Sequence, residues 1–152
     1  MDKIFVFDLD FTLWHLSGTW CDCTCPPYKK INGKIYDTCN AEMNLYPETI
    51  SILEALKSKD YKLAVASRTD RPDWARELMK LLKIDDYFDY KEIYPSAKTK
   101  HLTRIKEASG YPFSQMVFFD DEYRNIADTR ALGVTAVWVK NGITKNLVEK
   151  YK

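Results

Sequence analysis

The chain has 152 residues, a length that excludes two domains with separate cores. Because 45% of the residues are hydrophobic and 30% are charged, the composition is that of a folded globular protein and not of a disordered chain. The 23 Lys and Arg residues are balanced by 22 Asp and Glu residues. The chain therefore lacks the excess of basic residues that is typical of proteins that bind nucleic acids or membrane surfaces. The longest early apolar run, residues 4–7, is too short for a signal sequence or a membrane span. We therefore expect a cytoplasmic protein.

The first predicted element is a strand over residues 3–7, a continuous apolar run that ends at an acidic turn, as buried parallel strands do. Residues 13–46 follow this strand and contain all four cysteines and a Pro26-Pro27 pair. Within them Asn32-Gly33 stands between two short apolar-polar runs, which is a strong signal for a tight hairpin. We expect a small β-hairpin insertion at 13–46.

From residue 47 onward, helix-period segments alternate with short apolar runs. Their order is helix 47–59, strand 62–66, helix 72–82, weaker strand 90–94, helix 98–110, strand 115–119, helix 122–133, strand 134–138 and helix 143–152. Pro47 and Pro72 suit first helical positions, while Gly110 and Gly133 suit helix C-termini. The alternation predicts an α/β fold with a Rossmann-like, doubly wound, mostly parallel five-stranded sheet.

Three cysteines, Cys21, Cys23 and Cys25, alternate along the insertion, and Cys39 follows the predicted hairpin. Without a secretory signal we expect reduced thiols. Two alternatives stay open, a disulfide and a Cys₄ zinc site, although Cys-x-Cys is not the usual Cys-x₂-Cys zinc knuckle.

Polar residues follow four of the predicted strands, at the sheet edge where α/β proteins bind ligands. These residues are Asp8 and Asp10, Ser67, Lys98, and the pair Asp120 and Asp121. Crowded carboxylates repel one another and are stabilised by a cation, and their hard oxygen atoms suit Mg²⁺. A metal, a lysine and a serine that converge on one point can neutralise and hydrogen-bond a phosphoryl group.

Each of these residues also has a purely structural interpretation. An Asp after a strand is commonly a turn residue, and Ser67 suits a helix N-cap. Lys98 alone suits a solvated surface position, and Asp120-Asp121 suit the N-terminus of the next helix. The presence of all the pieces that one reaction needs, at four strand ends of one sheet, favours the functional interpretation.

This motif series resembles that of the haloacid dehalogenase (HAD) phosphatases, and within them the eukaryotic-type magnesium-dependent phosphatases. The resemblance covers residues 4–139 except 15–44. It rests on segments 8–14, 45–48, 66–69, 92–95 with Lys98, 112–122, 124–126 and 132–134.

The resemblance implies that Asp8 is the nucleophile, which forms an aspartyl-phosphate. It implies that Asp10 is the general acid and then the base that activates water. Mg²⁺ would be bound by the Asp8 carboxylate, the Asp10 backbone carbonyl and Asp121. Asp120 would orient Asp121 or a bound water.

The remaining roles concern the substrate and the first loop. Ser67 and Lys98 are expected to hold phosphoryl oxygens, and Lys98 also to reduce repulsion between Asp8 and the incoming anion. Thr12 is expected to fix the first loop. For Arg68 two interpretations stay open, a contact with the substrate beyond the phosphate and a surface ion pair.

We therefore expect a single HAD-type domain over 1–152, without a large cap domain, that acts as a monomeric Mg²⁺-dependent phosphomonoester hydrolase. The resemblance implies phosphotyrosine-type protein substrates, with protein-tyrosine phosphatase activity, or phosphorylated sugars and glycated amines. From the balanced charge we expect no nucleic-acid or membrane partner. The alternatives are a receiver-like phospho-acceptor domain and a non-catalytic binding module that uses the cysteine hairpin.

Four aromatic residues receive default interpretations. His15 and His101 are expected to be ordinary polar or half-buried side chains. The Trp and Tyr residues are expected mostly in the core, with Trp14 and Trp20 as the two candidates for exceptions that face the substrate near the mouth of the site.

Overall fold

A computed structural model describes residues 2–152 and contains seven strands and five α-helices over that range. In chain order they are β1 (Ile4–Phe7), β2 (Lys29–Ile31), β3 (Lys34–Tyr36), α1 (Thr49–Ser58), β4 (Lys62–Ser67), α2 (Pro72–Leu81), β5 (Tyr90–Ile93), α3 (Lys98–Ser109), β6 (Met116–Asp120), α4 (Tyr123–Arg130), β7 (Thr135–Trp138) and α5 (Lys145–Glu149). Short 3₁₀ turns lie at Cys21–Cys23, Asp85–Tyr87 and Phe113–Gln115. No helix in residues 2–152 is both long and apolar enough to cross a membrane.

Five of the strands form one parallel sheet in the order β5-β4-β1-β6-β7. The four residues of β1 are completely buried, because their alternating side chains enter hydrophobic cores on opposite faces of the sheet. Phe5 and Phe7 pack on the face covered by α1, α2 and α5. Ile4 and Val6 pack on the face covered by α3 and α4. The predicted doubly wound α/β fold is confirmed.

The strand order places the site at the centre of the sheet. From β1 the chain continues on one side into β4 and β5 and on the other into β6 and β7. Ligands of open α/β sheets bind at such a reversal, beyond the carboxyl ends of the strands. Asp8 directly follows β1 at this point, and Asp120 ends the neighbouring strand β6.

Strands β2 and β3 form the predicted antiparallel hairpin. Asn32 and Gly33 connect them with φ angles of 52° and 81°, the two positive values that a type I′ turn requires. The insertion rejoins the body of the protein where Trp14 pairs with Leu45. Residues 2–152 contain no large cap over the sheet, as expected from the shortness of this segment.

Several helix boundaries differ from the sequence prediction, and the last helix, predicted over 143–152, spans only Lys145–Glu149. The first helix begins at Thr49 and not at Pro47, because Pro47 lies in a turn closed by the Thr49 N–H and the Tyr46 carbonyl, where proline is favoured. Helix α4 ends at Arg130, ahead of Gly133. By contrast, Pro72 opens α2 and Gly110 is the left-handed cap of α3, as predicted.

Candidate active site

The carboxyl ends of β1, β4 and β6 open into a cleft of about 210 Å³. The structure brings together most of the strand-end residues singled out above. The cleft is lined by Asp8, Asp10, Trp20, Asp22, Ser67, Arg68, Thr69, Lys98, Asp121, Glu122 and Arg124. Asp120 lies beneath this surface and is completely buried.

Lys98 is the buried cation of the site. It is the first residue of α3, and its side chain is only 2% exposed. Its Nζ donates to Asp8 Oδ1 at 2.8 Å and to the Ala66 carbonyl at 2.5 Å, and it lies 3.3 Å from Asp120 Oδ2. A buried ammonium is stabilised only when it is paired and hydrogen-bonded, and here all three of its protons have an acceptor.

Asp8, Asp120 and Asp121 form a carboxylate cluster in which one oxygen atom of each lies within 4.8 Å of the others. Burial raises the pKa of Asp8, and the neighbouring Asp120 raises it further, against the opposing effect of Lys98. Burial also raises the pKa of Asp121 to about 6. Protonation becomes easier in both cases because the ionised forms are desolvated and repel one another.

The donor set of this cluster fits a divalent cation. Three carboxylates and the Lys98 ammonium leave two negative charges, which one divalent cation would balance. Carboxylate oxygens are the ligands that Mg²⁺ prefers.

Asp120 and Asp121 differ in how far their carboxylate oxygens are already occupied by hydrogen bonds. Asp120 accepts from the Glu122 N–H at 2.9 Å and from Asn125 Nδ2 at 3.1 Å, in addition to the Lys98 contact. Asp121 is half-buried and lines the cleft. Asp121 is therefore the better placed of the two for direct ligation, and Asp120 is placed to orient its neighbours.

Asp10 is held by donors from the insertion. Its Oδ1 accepts from Trp14 Nε1 at 2.7 Å and from the Cys21 N–H at 3.0 Å. Burial raises the pKa of Asp10 to about 6, and these two hydrogen bonds oppose the shift. A carboxyl group with this pKa can both release and accept a proton near neutral pH, as a general acid and base must.

The first loop is fixed around Asp8 by its own residues. Thr12 Oγ1 donates to Asp8 Oδ2 at 3.3 Å, and the Thr12 carbonyl accepts from the Ile143 N–H at 2.9 Å. Phe11 has a φ of 61°, the left-handed region that is uncommon for a bulky residue. The chain therefore turns sharply between Asp10 and Thr12, which fits the expected role of Thr12.

Asp22 is a site residue that the sequence did not reveal. Its carboxylate accepts a hydrogen bond from Thr69 Oγ1 and another from the Asp70 N–H at 3.1 Å. Ser67, which is buried and lines the same cleft, accepts from the Thr69 N–H at 3.4 Å. Asp22 thus fastens the insertion to the loop that directly follows Ser67.

The outer part of the cleft carries two arginines. Arg68 Nη1 donates to Asn125 Oδ1 at 3.3 Å and makes no ion pair within residues 2–152, so the surface ion-pair interpretation is wrong. Arg124 lies 3.2 Å from Glu122 in an exposed ion pair. Arg124 and Asn125 lie in a segment that carries the family resemblance, but their sequence context predicts no role for either.

The default interpretations of the aromatic residues need two corrections. Trp14 does not face the substrate: it is completely buried, because its indole N–H bonds to Asp10. His101 is also completely buried and not half-buried, because it lies on the inner face of α3 with Leu102. Trp20 is 55% exposed and lines the cleft, and its ring meets Phe11 edge-on at 5.5 Å.

The cysteines do not form the Cys₄ zinc site. Cys21 is buried and Cys23 is exposed, whereas Cys25 and Cys39 lie together, with 2.9 Å between their sulfur atoms. The carboxylate cluster described above is the one group of metal-ligating side chains found in residues 2–152. All four cysteines are free thiols in this structure.

Comparison with known proteins identifies close relatives. The sequence matches the family described as Acid Phosphatase over residues 1–151. It is 41% identical to human "Magnesium-dependent phosphatase 1" over 145 residues, which cover 94% of this chain and 81% of the relative. It is 37% identical to a HAD-like hydrolase superfamily protein of Schizosaccharomyces pombe, over 88% of this chain and 83% of that protein.

Solved structures share the fold at much lower identity. A HAD family enzyme from Bacteroides thetaiotaomicron, solved with magnesium and inorganic phosphate, superposes with a TM-score of 0.69 at 14% identity over 99% of both chains. A haloacid dehalogenase-like hydrolase from Streptococcus pneumoniae gives a TM-score of 0.66 at 18% identity, over 98% of this chain and 90% of that one.

Proposed function

Because the chain belongs to the acid phosphatase family of HAD-type, magnesium-dependent phosphatases, we propose that it hydrolyses phosphomonoesters through an aspartyl-phosphate formed on Asp8. The observation that carries the proposal is the pairing of two unlike carboxyl groups in one cleft. Asp8 is ion-paired to Lys98, and Asp10 has a pKa of about 6. Asp8 is suited to attack phosphorus, and Asp10 is suited to donate and accept a proton.

In the first step a carboxylate oxygen of Asp8 attacks phosphorus, and the bond from phosphorus to the leaving oxygen breaks. Asp10 donates its proton to that oxygen, so the alcohol leaves neutral. The Trp14 and Cys21 hydrogen bonds hold the Asp10 carboxyl at a fixed position for this transfer.

In the second step a water molecule attacks the phosphorus of the aspartyl-phosphate. Asp10, now ionised, accepts a proton from that water. The phosphate–Asp8 bond breaks, the Asp8 carboxylate is regenerated, and inorganic phosphate is released. Lys98, whose Nζ lies 2.8 Å from Asp8 Oδ1, is suited to stabilise the negative charge that returns to Asp8.

Ser67 and Lys98 are the residues that we propose to hold the phosphoryl oxygens, with Lys98 exchanging one of its three protein acceptors for a phosphoryl oxygen. Mg²⁺ would be bound by the carboxylates of Asp8 and Asp121 and by the backbone carbonyl of Asp10, with Asp120 orienting Asp121. A bound Mg²⁺ supplies positive charge that offsets the repulsion between the Asp8 carboxylate and the phosphate dianion. The oxygen donors and the two uncompensated negative charges of the cluster support this assignment.

For the substrate we propose a phosphate ester with a bulky leaving group, of the phosphotyrosine type, over the phosphorylated sugars and glycated amines. No large cap covers the cleft within residues 2–152, and Trp20 presents an exposed indole at its edge. An aromatic leaving group would gain from a contact with this ring, and we propose that Arg68, which lines the cleft, contacts groups beyond the phosphate. One copy of residues 1–152 supplies every residue of the site, which supports a monomeric, single-domain enzyme.

The proposal is tested by Asp8→Asn with p-nitrophenyl phosphate and Mg²⁺. We expect turnover to be abolished while the circular dichroism spectrum and melting temperature remain close to those of the wild type. Acid-quenched wild-type enzyme incubated with ³²P-labelled substrate should retain label, and Asp8→Asn should not. Turnover by Asp8→Asn at the wild-type rate would exclude Asp8 as the nucleophile, and no turnover by the wild type would favour the binding module.

The preference for aromatic esters is tested separately with Trp20→Ala. We expect kcat/KM for phosphotyrosine to fall by about 2- to 10-fold and kcat/KM for a sugar phosphate to change little. An equal loss on both substrates would contradict the assignment of Trp20 to the leaving group.

A further inference from the structure

Cys25 and Cys39 form a dithiol at the base of the insertion hairpin. Cys25 precedes β2 and Cys39 follows β3, so that the two residues, 14 positions apart in sequence, are brought together by the hairpin. Their sulfur atoms lie 2.9 Å apart. Neither residue lines the catalytic cleft, so the pair is separate from the site described above.

The backbone on both sides of this pair is already fixed. The buried carboxylate of Asp37 accepts from the Cys25 N–H at 3.0 Å through Oδ2 and from the Cys39 N–H at 2.9 Å through Oδ1. Thr38 adds two hydrogen bonds to the Cys25 carbonyl, from its N–H and from its hydroxyl, both of 2.8 Å. The two sulfur atoms therefore remain neighbours without any rearrangement of the hairpin.

The other two cysteines are poor competitors for this pairing. Cys21 is buried, and burial raises the pKa of its thiol, so little of it is the reactive thiolate. Cys23 is exposed, but no hydrogen bond joins its sulfur to another thiol in residues 2–152. Cys25 and Cys39 are thus the one pair of adjacent thiols in this part of the chain.

We propose that Cys25 and Cys39 are a modification site, a dithiol that a peroxide converts reversibly to a disulfide and that thereby fastens the base of the hairpin. Cys39 is an exposed residue and Cys25 is only partly exposed, and the hydrogen bond with Cys39 raises the pKa of Cys25, so Cys39 reacts first. Its thiolate attacks one peroxide oxygen, the O–O bond breaks, and a sulfenic acid forms with release of water or an alcohol.

The Cys25 thiolate then attacks the Cys39 sulfur and displaces its hydroxyl group as water. The two sulfur atoms have together lost two electrons, and the peroxide has gained them. A dithiol reductant reverses the reaction by thiol–disulfide exchange.

Closing this loop affects the part of the insertion that contacts Asp10. Thr24, next to Cys25, holds the 3₁₀ turn through its hydroxyl, which donates to the Cys21 carbonyl at 2.7 Å, and Cys21 in turn donates its N–H to Asp10. A cross-link at Cys25 reduces the conformational freedom of this segment in the unfolded chain. We expect the melting temperature to rise on the order of 5 °C.

The site is tested on the full chain with a small excess of hydrogen peroxide, followed by alkylation and peptide mass mapping without reduction. We expect one intramolecular disulfide between the peptides that contain Cys25 and Cys39, which dithiothreitol removes. Cys23→Ser is the matched control and should form the same disulfide, whereas Cys39→Ser should form none. A first product that links Cys23, joins two chains, or carries sulfinic acid on either residue would overturn the proposal.

A second measurement separates cross-linking from general oxidative damage. Oxidised wild type and Cys23→Ser should resist proteolysis within residues 15–44 better than their reduced forms and should melt at higher temperature. Cys39→Ser should show neither change, and under reducing conditions its melting temperature should match that of the wild type. Equal protection of Cys39→Ser by peroxide would overturn the assignment.

Discussion

Trp14 Nε1 donates a hydrogen bond of 2.7 Å to Asp10 Oδ1. The Cys21 N–H donates to the same oxygen at 3.0 Å. Because Oδ1 accepts both bonds, a proton on the Asp10 carboxyl belongs on Oδ2. A completely buried indole and the Cys21 N–H therefore decide which Asp10 oxygen would take part in the proposed proton transfer.

The first prediction concerns this indole. Trp14→Phe keeps an aromatic ring but removes the N–H donor, so Asp10 loses one of its two restraints. We expect kcat to fall about 10-fold, within the range found for the loss of orienting contacts, while KM for p-nitrophenyl phosphate changes little. Steady-state kinetics on purified protein checks this. Trp74→Phe, on α2 and away from the cleft, is the control, and an equal loss in both variants would contradict the prediction.

The second prediction concerns the metal. Treatment with a chelator should abolish phosphatase activity, and added Mg²⁺ should restore it. A bound cation relieves the repulsion among Asp8, Asp120 and Asp121, so Mg²⁺ at about 100 times its Kd should raise the free energy of unfolding by about 2.7 kcal/mol. Urea unfolding with and without Mg²⁺ measures this change. Asp121→Asn should weaken both effects, and full retention of both would remove Asp121 from the ligand set.

The third prediction concerns the attachment of the insertion to the loop after β4. Asp22→Ala removes the acceptor for the Thr69 hydroxyl and the Asp70 N–H, so the segment that contacts Asp10 is no longer fastened at that point. We expect kcat/KM to fall about 10-fold and cleavage by trypsin within residues 15–44 to become faster. Asp22→Asn keeps one acceptor oxygen and should lie between wild type and Asp22→Ala. Unchanged proteolysis of Asp22→Ala would refute the fastening role.

The fourth prediction concerns pH and stability. His101 Nε2 contacts the Tyr94 carbonyl at 2.9 Å, and its buried Nδ1 has no hydrogen-bond partner in residues 2–152. Burial, followed by the positive charge of Lys98, lowers its pKa to about 4. The unfolded chain therefore takes up a proton near pH 6.5 that the folded chain takes up only near pH 4. The resulting stabilisation is complete above pH 6.5 and is lost as the pH falls towards 4.

Between pH 7.5 and pH 5.0 this difference amounts to about 2 kcal/mol for His101. Urea unfolding of wild type and His101→Gln at both pH values should show a loss in the wild type larger by that amount. Asp8 and Asp121 have raised pKa values and contribute with the opposite sign, but they are present in both proteins and cancel in the comparison. Parallel pH dependences would contradict the prediction.

Much of the fold follows from local patterns. The buried run of β1 and the Asn32-Gly33 turn are each specified by residues that are close in sequence, and both were predicted correctly. The proximity of Asp8 and Ser67 was also predictable, because both follow or end parallel strands and the carboxyl ends of parallel strands lie at the same edge of the sheet. The burial of His101 could also have been predicted from a local pattern, because His101 shares a helical face with the buried apolar residues of α3, Leu102 and Ile105.

Other features depend on contacts between distant segments and left no local signal. Asp22 lies 47 positions before its partner Thr69, and nothing in the insertion marks it as a cleft residue. Trp14 looked like a residue at the mouth because aromatic side chains suit both a core and a binding surface. The Trp14 indole donates to Asp10, and the same Asp10 oxygen accepts from the Cys21 N–H, an arrangement that only the folded insertion provides.

The position of Lys98 has a consequence for how the sheet can be assembled. Its ammonium contacts β4 through Ala66, the end of β1 through Asp8, and β6 through Asp120. A shuffled strand order or a slipped register would leave this interior charge without its acceptors, at a cost of several kcal/mol. Lys98 therefore discriminates against misassembled sheets, and recovery of phosphatase activity after refolding should report that the three central strands are correctly aligned.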